Sequence, residues 1–379
     1  MSDILNTLSN PSLTADESGA LRRLGASSVT MDDLAAARHQ RRSAQQTEVG
    51  RVVRVERDRA RLATAAGTPT ARFGPCGPPA VGDWATALRL DDGSVVLDSI
   101  LPRSSAIVRR ASGSRGEPQA LAVNVDTILN VVAADRGVQI SRLERFLAMS
   151  WESGAQPTVV LTKTDVTDAG TLSEAVELIS RIAYGVPVLA VSSRTGEGID
   201  GLTADILGLG RTVALLGASG AGKTTLVNRL LGGGELRTSA VRESDGKGRH
   251  TTTWRELVTL PSGGAVIDTP GLRALSVWLS GDAMDATFAD VTDLAQDCRF
   301  SDCAHGDEPG CAVVEAVEAG ALDRRRLDSY QQLQRENDYL ERRGDPRLEK
   351  EYFMKSHSAY KEGRARAAAK GRPVPRRGY

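Results

Sequence analysis

The chain has 379 residues, enough for two or three domains with at least one sizeable core. Lys+Arg and Asp+Glu both total 48, so the overall charge favours no nucleic-acid or membrane partner and only local clusters can inform. Four cysteines exclude a disulfide scaffold, and the lack of a basic start followed by an apolar stretch, or of any run of roughly 18 apolar residues, leads to the expectation of a cytoplasmic protein with no membrane span.

Residues 1–46 are rich in Ser, Ala, Asp and Arg, with a weak helical period around 31–38 and no clear core face; they are expected to form a flexible extension. From Gly50 to about Arg110 the texture changes to short β-type runs at 51–53, 84–88 and 94–97, punctuated by tight-turn signals, which predicts a small barrel over 47–112. Beyond Asn124 strand and helix alternate. Strands are expected at 127–132, 158–161, 186–191, 212–216 and 264–267, and helices at 140–151, 171–183 and 223–231. Such alternation predicts a largely parallel sheet over 113–280, covered by helices, with ligands at the carboxyl ends of its strands. After Ser280 the strands stop. A cysteine-bearing and then helical domain is expected over 281–357, with an apolar spacing in Leu327, Tyr330, Leu333, Tyr339 and Leu340. Residues 358–379 form a basic tail with seven cations, from Lys361 to Arg377, against the single acid Glu362, and are expected to be disordered.

Gly217-Ala218-Ser219-Gly220-Ala221-Gly222-Lys223-Thr224 fits the phosphate-binding P-loop and lies between a predicted strand and a predicted helix, the context that pattern requires. The glycines let backbone N–H groups face phosphate oxygens, and the helix N-terminus adds positive potential. Lys223 is expected to reach the β and γ phosphates, the Thr224 hydroxyl to ligate Mg²⁺, and Thr225 to line the same site. Downstream, Asp268-Thr269-Pro270-Gly271 ends the strand at 264–267, so Asp268 is expected to hold Mg²⁺ through water and the Gly271 N–H to sense the γ-phosphate. Between them, the polar segment 239–253 carries Gly248-Arg249-His250-Thr251-Thr252-Thr253, suited to a switch loop in which Thr251 or Thr252 completes the Mg²⁺ shell.

Thr162-Lys163-Thr164-Asp165 follows an apolar strand and is similar to the Asn-Lys-x-Asp guanine motif. The Asp165 carboxylate accepts from guanine N1–H and the exocyclic amine, a donor pair that adenine lacks, which selects GTP over ATP. Ser192 and Ser193, in Val191-Ser192-Ser193-Arg194-Thr195-Gly196, close the next predicted strand and resemble the Ser-Ala-x-x-Gly loop that caps the base. These base motifs precede the P-loop, whereas most GTPases carry them after it. The order is circularly permuted, which leaves strand positions in the sheet unchanged.

Cys298-x4-Cys303-x-His305-x5-Cys311 offers three thiolates and an imidazole within fourteen residues, a closed tetrahedral set expected to hold one structural Zn²⁺.

With the permuted order, Gly248–Thr253 and the run from Cys298 through Glu308-Pro309-Gly310-Cys311, the chain resembles the ribosome small subunit-dependent GTPase family, RsgA, over about residues 47–355. The resemblance implies an OB-fold barrel, a permuted GTPase domain and a zinc domain. It also implies a monomeric partner of the small ribosomal subunit and its rRNA, cycling between GTP and GDP, whose hydrolysis that subunit stimulates late in its maturation. Two departures stand out. Thr162 replaces the usual Asn, removing an amide that braces the loop, and Ser193 replaces Ala. Leu272 follows the Asp268–Gly271 motif where Ras-like proteins carry the water-positioning Gln, so unaided hydrolysis is expected to be slow. His250 is the catalytic candidate to orient water; the alternative is contact with RNA or solvent. For rRNA the barrel offers Arg51, Arg54, Arg57, Arg103, Arg109 and Arg110, with Trp84 either a stacking platform or a core residue. The competing readings are a P-loop ATPase or kinase with a zinc module, against which Asp165 argues, and a non-enzymatic RNA-binding protein gated by nucleotide.

Overall fold

The computed structural model describes residues 13–40, 47–109, 119–207, 210–232, 256–268, 279–306 and 308–344. The chain divides into two compact units, the first including 1–109, 119–275 and 281–287, the second including 288–379. Among the described residues no helix is long and apolar enough to cross a membrane.

The first unit opens with α1 (Ala15–Arg23) and α2 (Ser28–His39). Thr14 and Glu17 close a reciprocal capping box on α1, and the Ser27 hydroxyl caps α2 by accepting from the Thr30 N–H. Leu21, Leu24 and Leu34 bury against Val49 and Trp84, so residues 13–40 correct the expectation of a loose extension. The helical face is only a few leucines wide, too narrow to register as a core stripe in the sequence, but it suffices once a barrel lies beneath it.

That barrel comprises β1 (Thr47–Val55), β2 (Arg59–Thr64), β3 (Thr70–Arg72), β4 (Trp84–Arg89) and β5 (Val95–Ile100). The order β1-β2-β3-β5-β4 closes by pairing β4 back onto β1, antiparallel except for β3 with β5. This is the five-stranded Greek-key arrangement of an OB-fold. Alternating residues such as Ala60 and Leu62, or Val95 and Leu97, fill its interior. A hairpin of β6 (Ala106–Arg109) and β7 (Gln119–Val123) follows.

The central sheet runs β10-β9-β8-β11-β13-β12, from β8 (Thr127–Ala133), β9 (Gln156–Thr162), β10 (Val188–Ala190), β11 (Thr212–Gly217), β12 (Glu256–Thr259) and β13 (Ala265–Asp268). All neighbours are parallel save β12 with β13, and β12 also pairs with β1 at Arg54 and Glu256, making barrel and central sheet continuous. Strands buried on both faces read as unbroken apolar runs, as β9 and β11 do. The helices α3 (Ile140–Glu152), α4 (Ala169–Ile182), α5 (Ile199–Leu202) and α6 (Lys223–Leu230) connect these strands, and α7 (Gly281–Thr287) packs on α3. Two apolar clusters form, one lined by Leu226, Leu202 and Val213, the other by Leu143, Leu147 and Ile179.

The second unit contains α8 (Ala289–Ala295), α9 (Ala312–Glu318) and α10 (Arg324–Gly344). Phe288, Val313, Leu327, Tyr330 and Leu333 are buried, whereas Tyr339 is exposed. Phe288 meets Tyr330 edge-on at 5.4 Å between centroids, and the Arg326 guanidinium lies 4.4 Å above the Phe288 ring while bonding Asp290.

Candidate functional site

Because β8, β9, β10, β11 and β13 are parallel, their carboxyl ends share one edge, and the sequence motifs emerge there together. Gly217 closes β11, where a Cβ would lie 2.5 Å from the Val131 carbonyl; this approach requires glycine. Gly220 and Gly222 take φ of 75° and 87°, turning the loop so that α6 begins at Lys223 with no side-chain cap. The first amides of α6 are therefore left for an external acceptor. Lys223 Nζ donates to the Gly217 and Ala218 carbonyls at 2.7 Å each, folded back over the loop it serves. Thr224 and Thr225 follow, exposed on the first turn of α6.

The base motif is fastened to this loop. Thr162 is buried at the end of β9, and its hydroxyl donates to the Ala221 carbonyl at 2.7 Å, spanning 59 positions of sequence. The replacement of Asn by Thr thus does not forfeit the brace: a shorter side chain reaches the same loop because β9 ends directly beside it. Lys163 adopts the left-handed conformation at φ 63°, and its Nζ pairs with Asp135 Oδ2 at 2.8 Å. Asp165 Oδ1 accepts from the Ser192 hydroxyl at 2.7 Å, and Arg194 Nη1 lies 3.7 Å from Oδ2. Ser192 in turn accepts from the Thr195 N–H, which shapes the capping loop. Thr164 Oγ1 and Ser193 Oγ are buried without a hydrogen-bond partner among the described residues. Asp135 and Arg136 lie beside this cluster but carried no motif of their own; only the strand-end position of 134–136, after β8, could have drawn attention to them.

Of the remaining nucleotide residues, His250, Thr251, Thr252 and Gly271 lie outside the described residues, and only the backbone of Asp268 is described, at the end of β13. The fit to Mg²⁺ with a nucleotide rests on Thr224 at the uncapped start of α6 and Asp268 at the neighbouring strand end.

The other polar cluster is in the second unit. One ligand atom each from Cys298, Cys303, His305 and Cys311 all lie within 4.8 Å of one another. Cys298 Sγ is 3.9 Å from Cys311 Sγ, and His305 Nδ1 is 3.7 Å from Cys298 Sγ and 3.5 Å from Cys311 Sγ. A tetrahedral Zn²⁺ at ordinary bond lengths separates sulfurs by about 3.8 Å and sulfur from nitrogen by about 3.6 Å. A disulfide would need sulfurs near 2.05 Å, roughly half the spacing seen. Burial, with the thiols of Cys311 and Cys298 alongside, pushes the Cys303 thiol up to about 11; burial also holds the His305 imidazole below its usual range, opposed only by Glu308. Three crowded thiols and a neutral imidazole want a cation among them. His305 sits at φ 57°, and Gln331 of α10 holds it there by donating to its carbonyl at 2.8 Å. Glu308 fastens the loop by accepting from the Gly306 and Ala304 N–H groups.

The barrel cations separate. Arg51 is 1% exposed and donates to the carbonyls of Gly82, Leu24 and Asn124 and to the Thr212 hydroxyl, so it is no RNA ligand. Trp84 is core, 4% exposed, with the Arg51 guanidinium 4.7 Å from its ring centroid. Arg103 pairs with buried Asp83, and Arg57 is exposed. Arg110 is outside the described residues, as is the basic tail.

Comparison with known proteins adds the following. A family model described as RsgA GTPase matches residues 100–278. A protein of Streptomyces coelicolor named small ribosomal subunit biogenesis GTPase RsgA is 48% identical over 314 residues, 80% of this chain and 85% of that protein. One of the same name from Opitutus terrae is 46% identical over 305 residues, 78% and 82% of the two chains. Among solved structures, YjeQ from Thermotoga maritima aligns with TM-score 0.57 and 25% identity over 77% of this chain and 98% of that one. YloQ, titled a circularly permuted GTPase, aligns with TM-score 0.54 over 77% and 95%; at 21% identity it bears on the fold alone.

Proposed function

The chain belongs to the RsgA GTPase family, and from that premise we propose that it hydrolyses GTP on the small ribosomal subunit during the late maturation of that subunit. The observation that carries this reading is the hydrogen bond from Thr162 to the P-loop carbonyl of Ala221, which locks the guanine-selecting strand end to the phosphate loop.

The base enters between Lys163, Thr164 and Asp165 on one side and Ser192 and Ser193 on the other, and guanine replaces Arg194 as the partner of the Asp165 carboxylate. The phosphates take the amides of residues 217–225, and Lys223 swings from its own carbonyls to the β and γ oxygens. Thr224, Thr252 and Asp268 would hold Mg²⁺, which neutralises charge on the β and γ oxygens when bound. His250 orients water, and Gly271 reports the γ-phosphate. Without a glutamine at Leu272 the isolated protein turns over slowly, and the ribosome fixes the loop bearing His250.

The barrel and its exposed cations, Arg57 foremost, bind rRNA by charge and shape, and the Cys298, Cys303, His305 and Cys311 set binds one structural Zn²⁺. The protein acts as a cytoplasmic monomer, with domains near 47–112, 113–287 and from 288 onward; the boundary expected at 281 moves because α7 packs on α3 in the first unit. The test is GTP turnover measured with isolated small subunits, large subunits or neither. Small subunits alone are expected to raise the rate by more than about tenfold; equal rates in all three would overturn the reading.

A further inference from the structure

Two cations beside the phosphate loop are already engaged. Lys223 donates to loop carbonyls, and Lys163 is paired with Asp135. A third, Arg136, is next in the chain to Asp135, and among the described residues no acid pairs with it. Its guanidinium is nevertheless turned onto the P-loop: a Cβ placed on Gly220 would lie 3.1 Å from Nη1 and 3.6 Å from both Cζ and Nη2. Arg136 also lines a cavity of about 110 Å³ with Ser219, Gly220, Ala221 and Arg142. Ordering an exposed arginine against a neutral glycine costs side-chain freedom and returns no ion pair. An anion bound at the loop would supply the attraction that no acid provides there.

We propose that Arg136 is an arginine finger supplied in cis, contacting the γ-phosphate and the β–γ bridging oxygen of GTP in the transition state; this rests on the GTPase reading above. In hydrolysis the water oxygen forms a bond to the γ phosphorus while the bond from that phosphorus to the bridging oxygen breaks. The bond's electron pair stays on GDP, and the water's proton passes to the released phosphate. Charge therefore grows on the bridging oxygen, where a planar guanidinium with several N–H donors matches it better than a second ammonium. The 3-10 turn of residues 134–136, ended by Gly137 at φ 71°, ties the finger to the end of β8, so it needs no partner chain to enter the site. Leu272 leaves the chain without the Ras-type glutamine, and the arginine is the second device by which charge can be met.

The experiment compares wild type, Arg136→Ala, Arg136→Lys and the control Arg181→Ala, an exposed cation of α4 outside that cavity. Single-turnover hydrolysis at saturating GTP with small subunits is expected to slow by about a hundredfold in Arg136→Ala, to recover only partly in Arg136→Lys and to hold in Arg181→Ala. Binding of GDP with aluminium fluoride should weaken in parallel, while binding of GDP alone changes by less than about threefold. Turnover of Arg136→Ala within about threefold of wild type would overturn the proposal, as would an equal loss of GDP and GDP–aluminium fluoride affinity, which marks ground-state binding. A wild-type protein that neither binds nor hydrolyses GTP would instead defeat the GTPase reading itself.

Discussion

At the scale of single residues, the base site turns on one carboxylate and one hydroxyl. Asp165 already accepts from Ser192 and lies within 3.7 Å of Arg194, so a guanine bound there as proposed would displace only an exposed arginine. Asp165→Asn presents a donor to the guanine N1–H and amine, and each mismatched donor in a dry pocket costs roughly 1–3 kcal/mol. GTP affinity should fall by more than about tenfold. Xanthosine triphosphate, which carries a carbonyl in place of the exocyclic amine, should gain; fluorescence titration with both nucleotides checks the exchange, and unchanged preference for GTP would contradict the role. Thr162 makes the complementary case. Thr162→Val keeps the shape and removes the bond to Ala221, leaving a buried carbonyl unmatched at a cost of about 1–2 kcal/mol. GDP release should quicken by about tenfold in stopped-flow measurements, and Thr162→Asn should not release faster than wild type. Sequence spacing alone identified the position but mispriced the residue, because a motif does not say how near two strand ends lie.

At the scale of elements, legibility followed burial. β8, β9 and β11 are central, mostly apolar and buried, and were readable within a residue or two of their ends, as were α3, α4 and α6 from their periodicity. β2 escaped because its outward positions are Arg59 and Arg61, and β3 because three residues carry no period. β12 escaped because a four-residue strand with Glu256 and Thr259 resembles a turn until β1 and β13 flank it. The 298–311 loop was legible as a ligand set, but not the devices that shape it: Gln331 and Glu308 come from outside the cysteine pattern. If the four ligands hold a metal as proposed, the loop between them would depend on it for order. Metal analysis should return one zinc per chain. Cys303→Ser, or a strong chelator, should remove it and raise amide exchange across 298–319 by more than about tenfold while residues 127–217 keep their protection. Full protection of 298–319 after the metal is stripped would rule out the dependence.

At the scale of the whole first unit, the question is what joins the barrel, the N-terminal helices and the GTPase sheet. Arg51 answers it from inside β1. Its guanidinium donates to the Leu24 carbonyl after α1, to Gly82 in the barrel, and to Asn124 and Thr212 at the entrance of β8 and β11. Gly25 makes room: its φ is 92°, and a Cβ there would fall 2.8 Å from Arg51 Nη1 and 2.9 Å from both the Gly210 carbonyl and the Thr212 hydroxyl. Burial lowers the Arg51 pKa to about 10, with the charges of Asp126 and Asp83 opposing the drop. At neutral pH the group is still protonated by about three orders of magnitude, so it works as a charged donor to four acceptors. Arg51→Met would relieve the desolvated charge but strand those acceptors and remove the cation above Trp84, and the second effect should win by about 3 kcal/mol. Because the acceptors come from three elements, the loss should be shared. In urea melts followed by hydrogen exchange, α1, the barrel strands and the β8–β11 edge should lose protection together. Destabilisation confined to residues 13–40 would mean that the helices are merely laid on the barrel, and that Arg51 does not couple it to the nucleotide-bearing sheet.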